Sequence, residues 1–277
     1  MNEGEVIEAA GGPHTHESIR EGLTALGLPA GATVLVHSSL SRLGWVAGGA
    51  HAVVLALVDV LGAMGTLVMP THSTHLSDPA GWAHPPVPET WWPVVREATP
   101  AFDPALTPTR GMGAIVECFR HLPGVVRSTH PTLSFAAVGP RATEIVGAHS
   151  LNDGLGEASP LARLYDADGW VLLLGVGHQN NTSLHLAEHR ADFPGKKRTT
   201  QGSPMLVDGV QEWVQYQEID PDDSDFPRIG AEFAGTGKER EGPVGGGTAR
   251  LMRQREAVDF ATAWLGKNRL GGGRGRD

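Results

Sequence analysis

An apolar quartet, Thr33-Val-Leu-Val36, is followed by the helix-patterned run His51–Leu61, a glycine stop at Gly62, and a second apolar quartet, Thr66-Leu-Val-Met69. Short runs of this kind bounded by turn residues read as strands, and the longer run reads as a helix. Strand, helix and strand at this spacing form a βαβ unit, with two parallel strands joined by a right-handed crossover. A further unit follows at Trp170-Val-Leu-Leu-Leu174, where Gly175 and Gly177 break the strand and Asn180, Asn181 or Thr182 is placed to cap a helix. His16–Leu26, closed by Gly27, and Gly111–Leu122 also carry helical patterns, and residues 256–266 make a closing helix. Met205–Tyr216 alternates around Asp208-Gly209, a hairpin signal. The expected fold is therefore α/β: a mixed sheet with βαβ units flanked by helices, with antiparallel additions toward the C-terminus.

Neither an internal repeat nor a clean linker divides the chain, so one domain is expected over residues 16–266. Residues 71–108 break the pattern. They are rich in Pro, Trp, His and Thr and read as a long substrate loop with one short helix near Trp91–Glu97. Residues 1–15 and 267–277 read as flexible ends, the latter finishing in Leu270-Gly-Gly-Gly-Arg-Gly-Arg-Asp277.

With 277 residues and 40% hydrophobic content, the chain can bury a sizeable core despite 37 glycines and 20 prolines. Its 31 acidic residues outnumber 22 basic ones, giving a formal net charge of -9. That balance disfavours nucleic acid, where basic side chains must neutralise phosphates. It suits a cationic ligand if the carboxylates converge in a cleft, and plain solubility if they do not. Cys118 is the single cysteine, so no internal disulfide forms. Its apolar helical setting predicts a buried small side chain rather than a nucleophile. The start, Met1-Asn-Glu-Gly-Glu5, lacks the basic and apolar regions of a signal peptide, and no run of 18 apolar residues exists. A cytoplasmic protein with no membrane or nucleic-acid partner is expected.

In the stretch from Gly175 to Glu188, His185 and Glu188 lie three apart and share a helix face. A histidine beside a carboxylate at a strand–loop–helix junction suits proton abstraction. An ordinary surface His and Glu at a helix start would look the same. His37-Ser38-Ser39-Leu40 ends the first strand and leads through glycines into a helix, where free N–H groups favour phosphate. The pattern is neither a Walker loop nor Gly-x-Gly-x-x-Gly, and an ordinary loop fits it equally. Arg110, before Gly111-Met-Gly113, offers a second phosphate contact or a plain surface charge. Thirteen histidines raise the question of a metal. His178, His185 and His189 are spaced seven and four, but no His-Glu-x-x-His is present, so no metal is expected. His14, His16, His121 and His149 have no chemical setting and read as surface residues, while His72, His75 and His84 lie in the long loop. Asp78, Glu89 and Asp103 in that loop, with Asp192 and the Asp222, Asp223, Asp225 run, offer carboxylates to an ammonium-rich substrate. Asp225 and its neighbours serve equally well as caps of a helix at 227–235.

These stretches carry a family resemblance. His37-Ser-Ser-Leu-Ser-Arg-Leu-Gly44, Val68-Met-Pro-Thr71, Thr107-Pro-Thr-Arg-Gly-Met-Gly113, His130-Pro-Thr-Leu-Ser-Phe135, Gly156-Glu-Ala-Ser-Pro-Leu161, and Leu174–Glu188 running on to Pro194-Gly-Lys-Lys-Arg198 resemble, in that order, the aminoglycoside N3-acetyltransferases. These are antibiotic N-acetyltransferases unrelated in fold to the common GNAT enzymes. The resemblance covers roughly residues 16–266. It implies transfer of acetyl from acetyl-coenzyme A to the 3-amino group of a 2-deoxystreptamine ring, without metal. A monomer or homodimer is expected. The histidine and glutamate of the family's Thr-x-x-His-x-x-Glu pattern fall on His185 and Glu188. No role carries over to His178.

Resemblance and local chemistry meet in one expectation. An amine must be neutral to attack a thioester, and histidine is the natural base near pH 7. His185 is expected to take the proton, Glu188 to orient it, and Thr182 with the Ser38-Ser39 loop to offer oxyanion donors. The cofactor is expected along His37, Ser38, Ser39 and Leu40 and near Arg110 and Gly113. The drug is expected among Asp78, Glu89, Asp103, Asp192 and Asp225. A same-fold acetyltransferase for another amine, a metal hydrolase on His178, His185 and His189, and a non-catalytic aminoglycoside-binding protein are the alternatives.

Overall fold

The computed structural model describes residues 3–9 and 11–269. Its centre is the expected βαβ unit: β1 (Thr33–Ser38), a helix over Gly49–Leu61, and β2 (Thr66–Pro70), with the two strands parallel. β3 (Val126–Arg127) and β4 (Phe135–Val138) add antiparallel to the far side of β2. β5 (Trp170–Leu174) lies parallel to β1 on its other side. The sheet continues antiparallel after a separate hairpin, β6 (Arg198–Val207) and β7 (Val210–Ile219), through β8 (Glu239–Val244) and β9 (Gly247–Arg253). The strand order is β3-β4-β2-β1-β5-β9-β8, and the hairpin forms its own two-stranded sheet. The expected antiparallel additions are present toward the C-terminus. A second pair, β3 and β4, lies at the opposite edge.

Both faces of this sheet are covered, which explains its unbroken apolar strands. Val34, Val36, Leu172 and Leu174 pack in one core with Leu23 and Val53, while Leu35 and Val68 point into another with Leu161, Leu184 and Trp264. Each such Val or Leu taken from water stabilises the fold by about 1.5–3 kcal/mol. The first face is covered by α2 (His16–Leu26), α3 (Gly49–Leu61) and α5 (Gly113–Phe119). These follow α1 (Glu3–Ala9), with α4 (Trp92–Ala98) in the long loop. The second face is covered by α6 (Ala142–Val146), α7 (Pro160–Asp166), α8 (Ser183–Arg190), α9 (Phe226–Ala234) and α10 (Gln254–Asn268).

Three sequence expectations change here. The N-terminal stretch is not uniformly frayed: Glu3–Ala9 is helical, Val6 is buried, and His14 bridges to Val46. The closing helix runs to Asn268, and Arg269 after it is held by side-chain bonds, so residues 267–269 are not a flexible end. Residues 270–277 lie outside the described residues. The long 71–108 loop holds three short 3-10 turns besides α4. It is fastened by Arg127, whose guanidinium donates to the carbonyls of Thr71 and Thr107 and to Ser73 Oγ at 2.6–2.8 Å. Burial pulls the pKa of that guanidinium down to about 10.

Candidate active site

β1 leads on to β2 at one side and has β5 at the other, so the chain reverses its direction of travel across the sheet beside β1. In open α/β sheets ligands bind beyond the carboxyl ends of the strands at such a switch point. Both strands end there in the stretches singled out from sequence: Ser38-Ser39-Leu40 after β1, and Gly175–Thr182 after β5.

Two cavities meet this region. The larger, about 800 Å³, is lined by Ser38, Ser39, Leu40, Arg42, Gly49, Gly113, Gly175, Gln179 and Asn180, with Val6 from α1. The smaller, about 300 Å³, is lined by His72, Asp78, Thr132, Thr182, His185, Glu188, His189 and Glu218. The 175–182 loop borders both. Gly175, at φ +72°, lets that loop pass tightly: a Cβ there would lie 2.9 Å from Arg42 Cβ and 3.1 Å from the Ser39 carbonyl. The α3 N-terminus opens on the larger cavity at Gly49, and Gly48 before it offers no side-chain cap. The Gly49 N–H already donates to the Val46 carbonyl, but the positive end of the helix and the Arg42 guanidinium suit an anionic chain such as a phosphorylated cofactor.

In the smaller cavity the two residues of the sequence motif meet. α8 carries both, and Nδ1 of His185 lies 2.5 Å from Glu188 Oε2. Asn181 Oδ1, not Thr182, accepts the Ser183 N–H at the head of this helix. With Nδ1 donating to the carboxylate, Nε2 of the imidazole is left as the basic atom. The His185 ring rests 4.8 Å from the Phe226 ring, centroid to centroid, which fixes its plane. Thr182 Oγ1 hydrogen-bonds Nε2 of His37 at 3.2 Å. His37 is buried, and desolvation, with His185 nearby, pulls its pKa down to about 3. His72 is held neutral in the same way, again at about 3. A neutral His37 and His72 leave the site without extra positive charge near an incoming ammonium.

The predicted residues divide clearly. Ser38, Ser39, Leu40 and Gly113 line the larger cavity, whereas His37 is buried beneath it and Arg110 is exposed outside its lining; Arg42 is the arginine that borders it. Asp78 lines the smaller cavity, but caps Ala80 and grips Arg96 at 2.7 Å. Glu89, Asp103, Asp192 and Asp225 are not among its lining residues. Asp103 instead accepts the N–H groups of Ala105 and Leu106. Asp225 neither lines the cavity nor caps α9 through its side chain; it pairs with Arg269 at 2.9 Å.

Sequence reasoning missed Glu218 and His130. Nδ1 of His130 accepts the N–H groups of Thr132 and Leu133, so Nε2 carries the proton and donates to Glu218 Oε1 at 3.2 Å. Glu218 also accepts the Gly154 N–H. It has no lysine or arginine partner among the described residues. A buried carboxylate with no basic side chain beside it keeps lone pairs that a cationic ligand could use. The two residues are 88 apart in sequence, and only the His130-Pro-Thr-Leu-Ser-Phe135 motif hinted at one of them. His149 is likewise not a surface residue: it bridges Ser128 and the Gly154 carbonyl, and burial brings its pKa to about 3.

The metal alternative does not assemble as its spacing suggested. His178 is committed to Glu239 at 2.7 Å and His185 to Glu188, on different carboxylates. His189 instead approaches Asp153 and Glu218, three groups within 4.8 Å of one another. Asp153 gives its Oδ2 to Arg198 at 2.6 Å, which sets a positive charge beside that group. Cys118 is half-buried at the edge of the first core, and burial pushes its thiol up, away from nucleophilic use.

Known proteins resemble this chain along most of its length. A family model described as aminoglycoside 3-N-acetyltransferase matches residues 35–266. An aminoglycoside N(3')-acetyltransferase-like protein of Bacillus subtilis, YokD, is 47% identical, covering 95% of this chain and 96% of its own length. Its crystal structure superposes with a TM-score of 0.93 over 96% of this chain and 98% of that one. Aminoglycoside N(3)-acetyltransferase VII of Streptomyces paromomycinus is 38% identical over 99% of each chain. The solved AAC-IIIb, a binary complex with CoASH, is 33% identical with a TM-score of 0.83, over 95% of this chain and 100% of that one.

Proposed function

The chain belongs to the aminoglycoside 3-N-acetyltransferase family, a family of acyltransferases; on that premise we propose that it moves acetyl from acetyl-coenzyme A to the 3-amino group of a 2-deoxystreptamine aminoglycoside. The observation that carries this reading is the His185 Nδ1 to Glu188 Oε2 contact at 2.5 Å in the wall of the smaller cavity. Glu188 fixes the tautomer, so Nε2 of His185 takes the proton from the 3-ammonium. The freed amine nitrogen attacks the thioester carbonyl carbon, the C–S bond breaks, the proton held on His185 passes to the leaving sulfur, and the second proton on the new amide nitrogen leaves to water. The Thr182 hydroxyl and the hydroxyls of the Ser38-Ser39 turn are the donors for the developing oxyanion, since the Ser39 N–H is already given to the Leu174 carbonyl. The cofactor's pantetheine and phosphates fit the larger cavity, beside Ser39, Leu40, Arg42 and the open N-terminus of α3. The drug's ammonium groups fit the smaller one, beside Glu188, Glu218 and Asp78. The reaction would lower the susceptibility of a cell that carries it. Among the described residues no helix is long and apolar enough to cross a membrane.

The test is thiol release from acetyl-coenzyme A across a panel of 2-deoxystreptamine aminoglycosides, with mass spectrometry to locate the acetyl group. Acetylation at the 3-amino position is the expected product. His185→Ala should lose about a hundredfold or more in kcat while still binding coenzyme A. Near-normal turnover by that folded variant removes His185 from the mechanism, and acetylation of only unrelated amines overturns the substrate.

A further inference from the structure

Glu188 uses only one of its two oxygens on His185. The other, Oε1, receives Nη1 of Arg269 at 2.6 Å and the backbone N–H of Asp222 at 3.2 Å. Arg269 follows α10 and lies beyond residue 266, where the match to the family model ends. Its guanidinium is nearly buried, 11% exposed, and packs 5.1 Å above the Phe193 ring. Each face of the fork is used: Nε donates to Asp225 Oδ2 at 2.9 Å, and Nη2 donates to the Asp222 carbonyl.

We propose that Arg269 is a positioning residue for the acetyl-transfer reaction, holding the Glu188 carboxyl group in register with the His185 imidazole. The reasoning rests on the function proposed above for His185 and Glu188. A carboxyl group buried as deeply as Glu188, 2% exposed, needs protein donors for its oxygens in place of water. Arg269 supplies one of them from a planar fork whose second edge is anchored on Asp225, at the start of α9. The carboxylate therefore cannot swing away from Nδ1 of His185 without breaking a second ion pair on another element. The same fork fixes the 221–225 segment, and Pro221 of that segment lines the smaller cavity. One arginine at the end of the last helix thus ties the proton-accepting pair to the rim of the drug site.

The experiment compares Arg269→Met and Arg269→Lys with the full-length enzyme, using coenzyme A titration to count folded sites. His185→Ala is run alongside. Arg269→Met keeps the stem over Phe193 and removes the charge. It should lower kcat per folded site by about ten- to a hundredfold, the scale of one hydrogen bond to a charged group, with KM for acetyl-coenzyme A unchanged. Arg269→Lys, which keeps the charge, should recover part of that loss. Wild-type kcat in folded Arg269→Met overturns the proposal and leaves a merely structural contact. Should Arg269→Met fail to fold, Asp225→Asn carries the test: releasing the anchor should lower kcat several-fold at unchanged coenzyme A affinity, and an unchanged kcat overturns the proposal. If His185→Ala keeps its turnover, the underlying reading of the site fails whatever Arg269 does. If it is dead while Arg269→Met is normal, only the role of Arg269 fails.

Discussion

Nε2 of His130 donates to Glu218 Oε1 at 3.2 Å, and that imidazole stands where a lysine or arginine would normally pair such a carboxylate. Glu218 faces the smaller cavity with its charge uncompensated by any lysine or arginine among the described residues. A substrate carrying several ammonium groups can supply the missing charge. Glu218→Gln keeps the shape and the acceptor for His130 but removes the charge. It should raise KM for the aminoglycoside by about tenfold, the scale of one charge-assisted hydrogen bond, and leave KM for acetyl-coenzyme A in place. Steady-state kinetics against each substrate checks this, and an unmoved drug KM excludes Glu218 from ammonium binding.

Ser39 lies in the lining of the larger cavity, at the turn that follows β1. Ser39→Glu brings a carboxylate to a surface built from hydroxyls, amides and an arginine. Like charges repel, so KM for acetyl-coenzyme A should rise by about tenfold or more while KM for the aminoglycoside stays close to its original value. The reverse pattern would exchange the two cavities.

Much of this site could be read from sequence because its parts are local. The i,i+3 spacing brings His185 to Glu188 within one helix, and the apolar quartets at 33–36 and 66–69 announce their own burial. Gly175 and the Ser38-Ser39 turn stand at strand ends, where geometry alone makes a crevice. What sequence could not carry depends on tertiary meetings. Glu218 reaches His130 across the chain, and Arg269 reaches Glu188 over 81 positions. Asp225 looked like a substrate carboxylate or a helix cap, because the arginine that neutralises it comes from another helix. Arg110 stands out in sequence because it precedes Gly111-Met-Gly113, and only the fold shows that Arg42 is the arginine bordering the cavity. β3, two residues long with Val126 partly exposed, gives too short an apolar signal to be seen.

Burial keeps His37, His72 and His149 neutral, each with its pKa lowered to about 3. In the unfolded chain a histidine takes its proton near 6.5. Between these values the unfolded state binds more protons, so folding stability is full above about pH 6.5 and falls as pH drops toward 3. Each such group adds up to about 1.4 kcal/mol of loss per pH unit within that window. Urea midpoints at pH 7.5 and 5.5 should therefore differ, with the acid value lower. His149→Gln, away from the proposed base, should be less stable at pH 7.5 because a hydrogen-bonded ring is lost, yet should show a smaller drop on acidification. An equal drop in the variant would exclude His149 as a source of the acid sensitivity.

The net charge of -9 would speed capture of a polycationic drug, most directly through carboxylates that line the cavity proposed for it. Asp78, Glu188 and Glu218 line the smaller cavity, whereas Asp192 is exposed and does not. Added salt screens separated charges, so kcat/KM for the aminoglycoside should fall as ionic strength rises from 0.01 to 0.15 M, where the Debye length shrinks from about 30 Å to 8 Å. Coenzyme A is an anion and responds to salt with the opposite sign near these acids, so the drug is varied at saturating acetyl-coenzyme A. Asp78→Asn should lower kcat/KM at low salt and flatten its salt dependence. Its grip on Arg96 makes the effect smaller than that of Glu218→Gln, because half its charge is already answered. Asp192→Asn should leave both the value and the slope nearly unchanged. A wild-type salt slope in Asp78→Asn and Glu218→Gln alike would assign the attraction to the charge of the whole surface and not to the wall of the drug cavity.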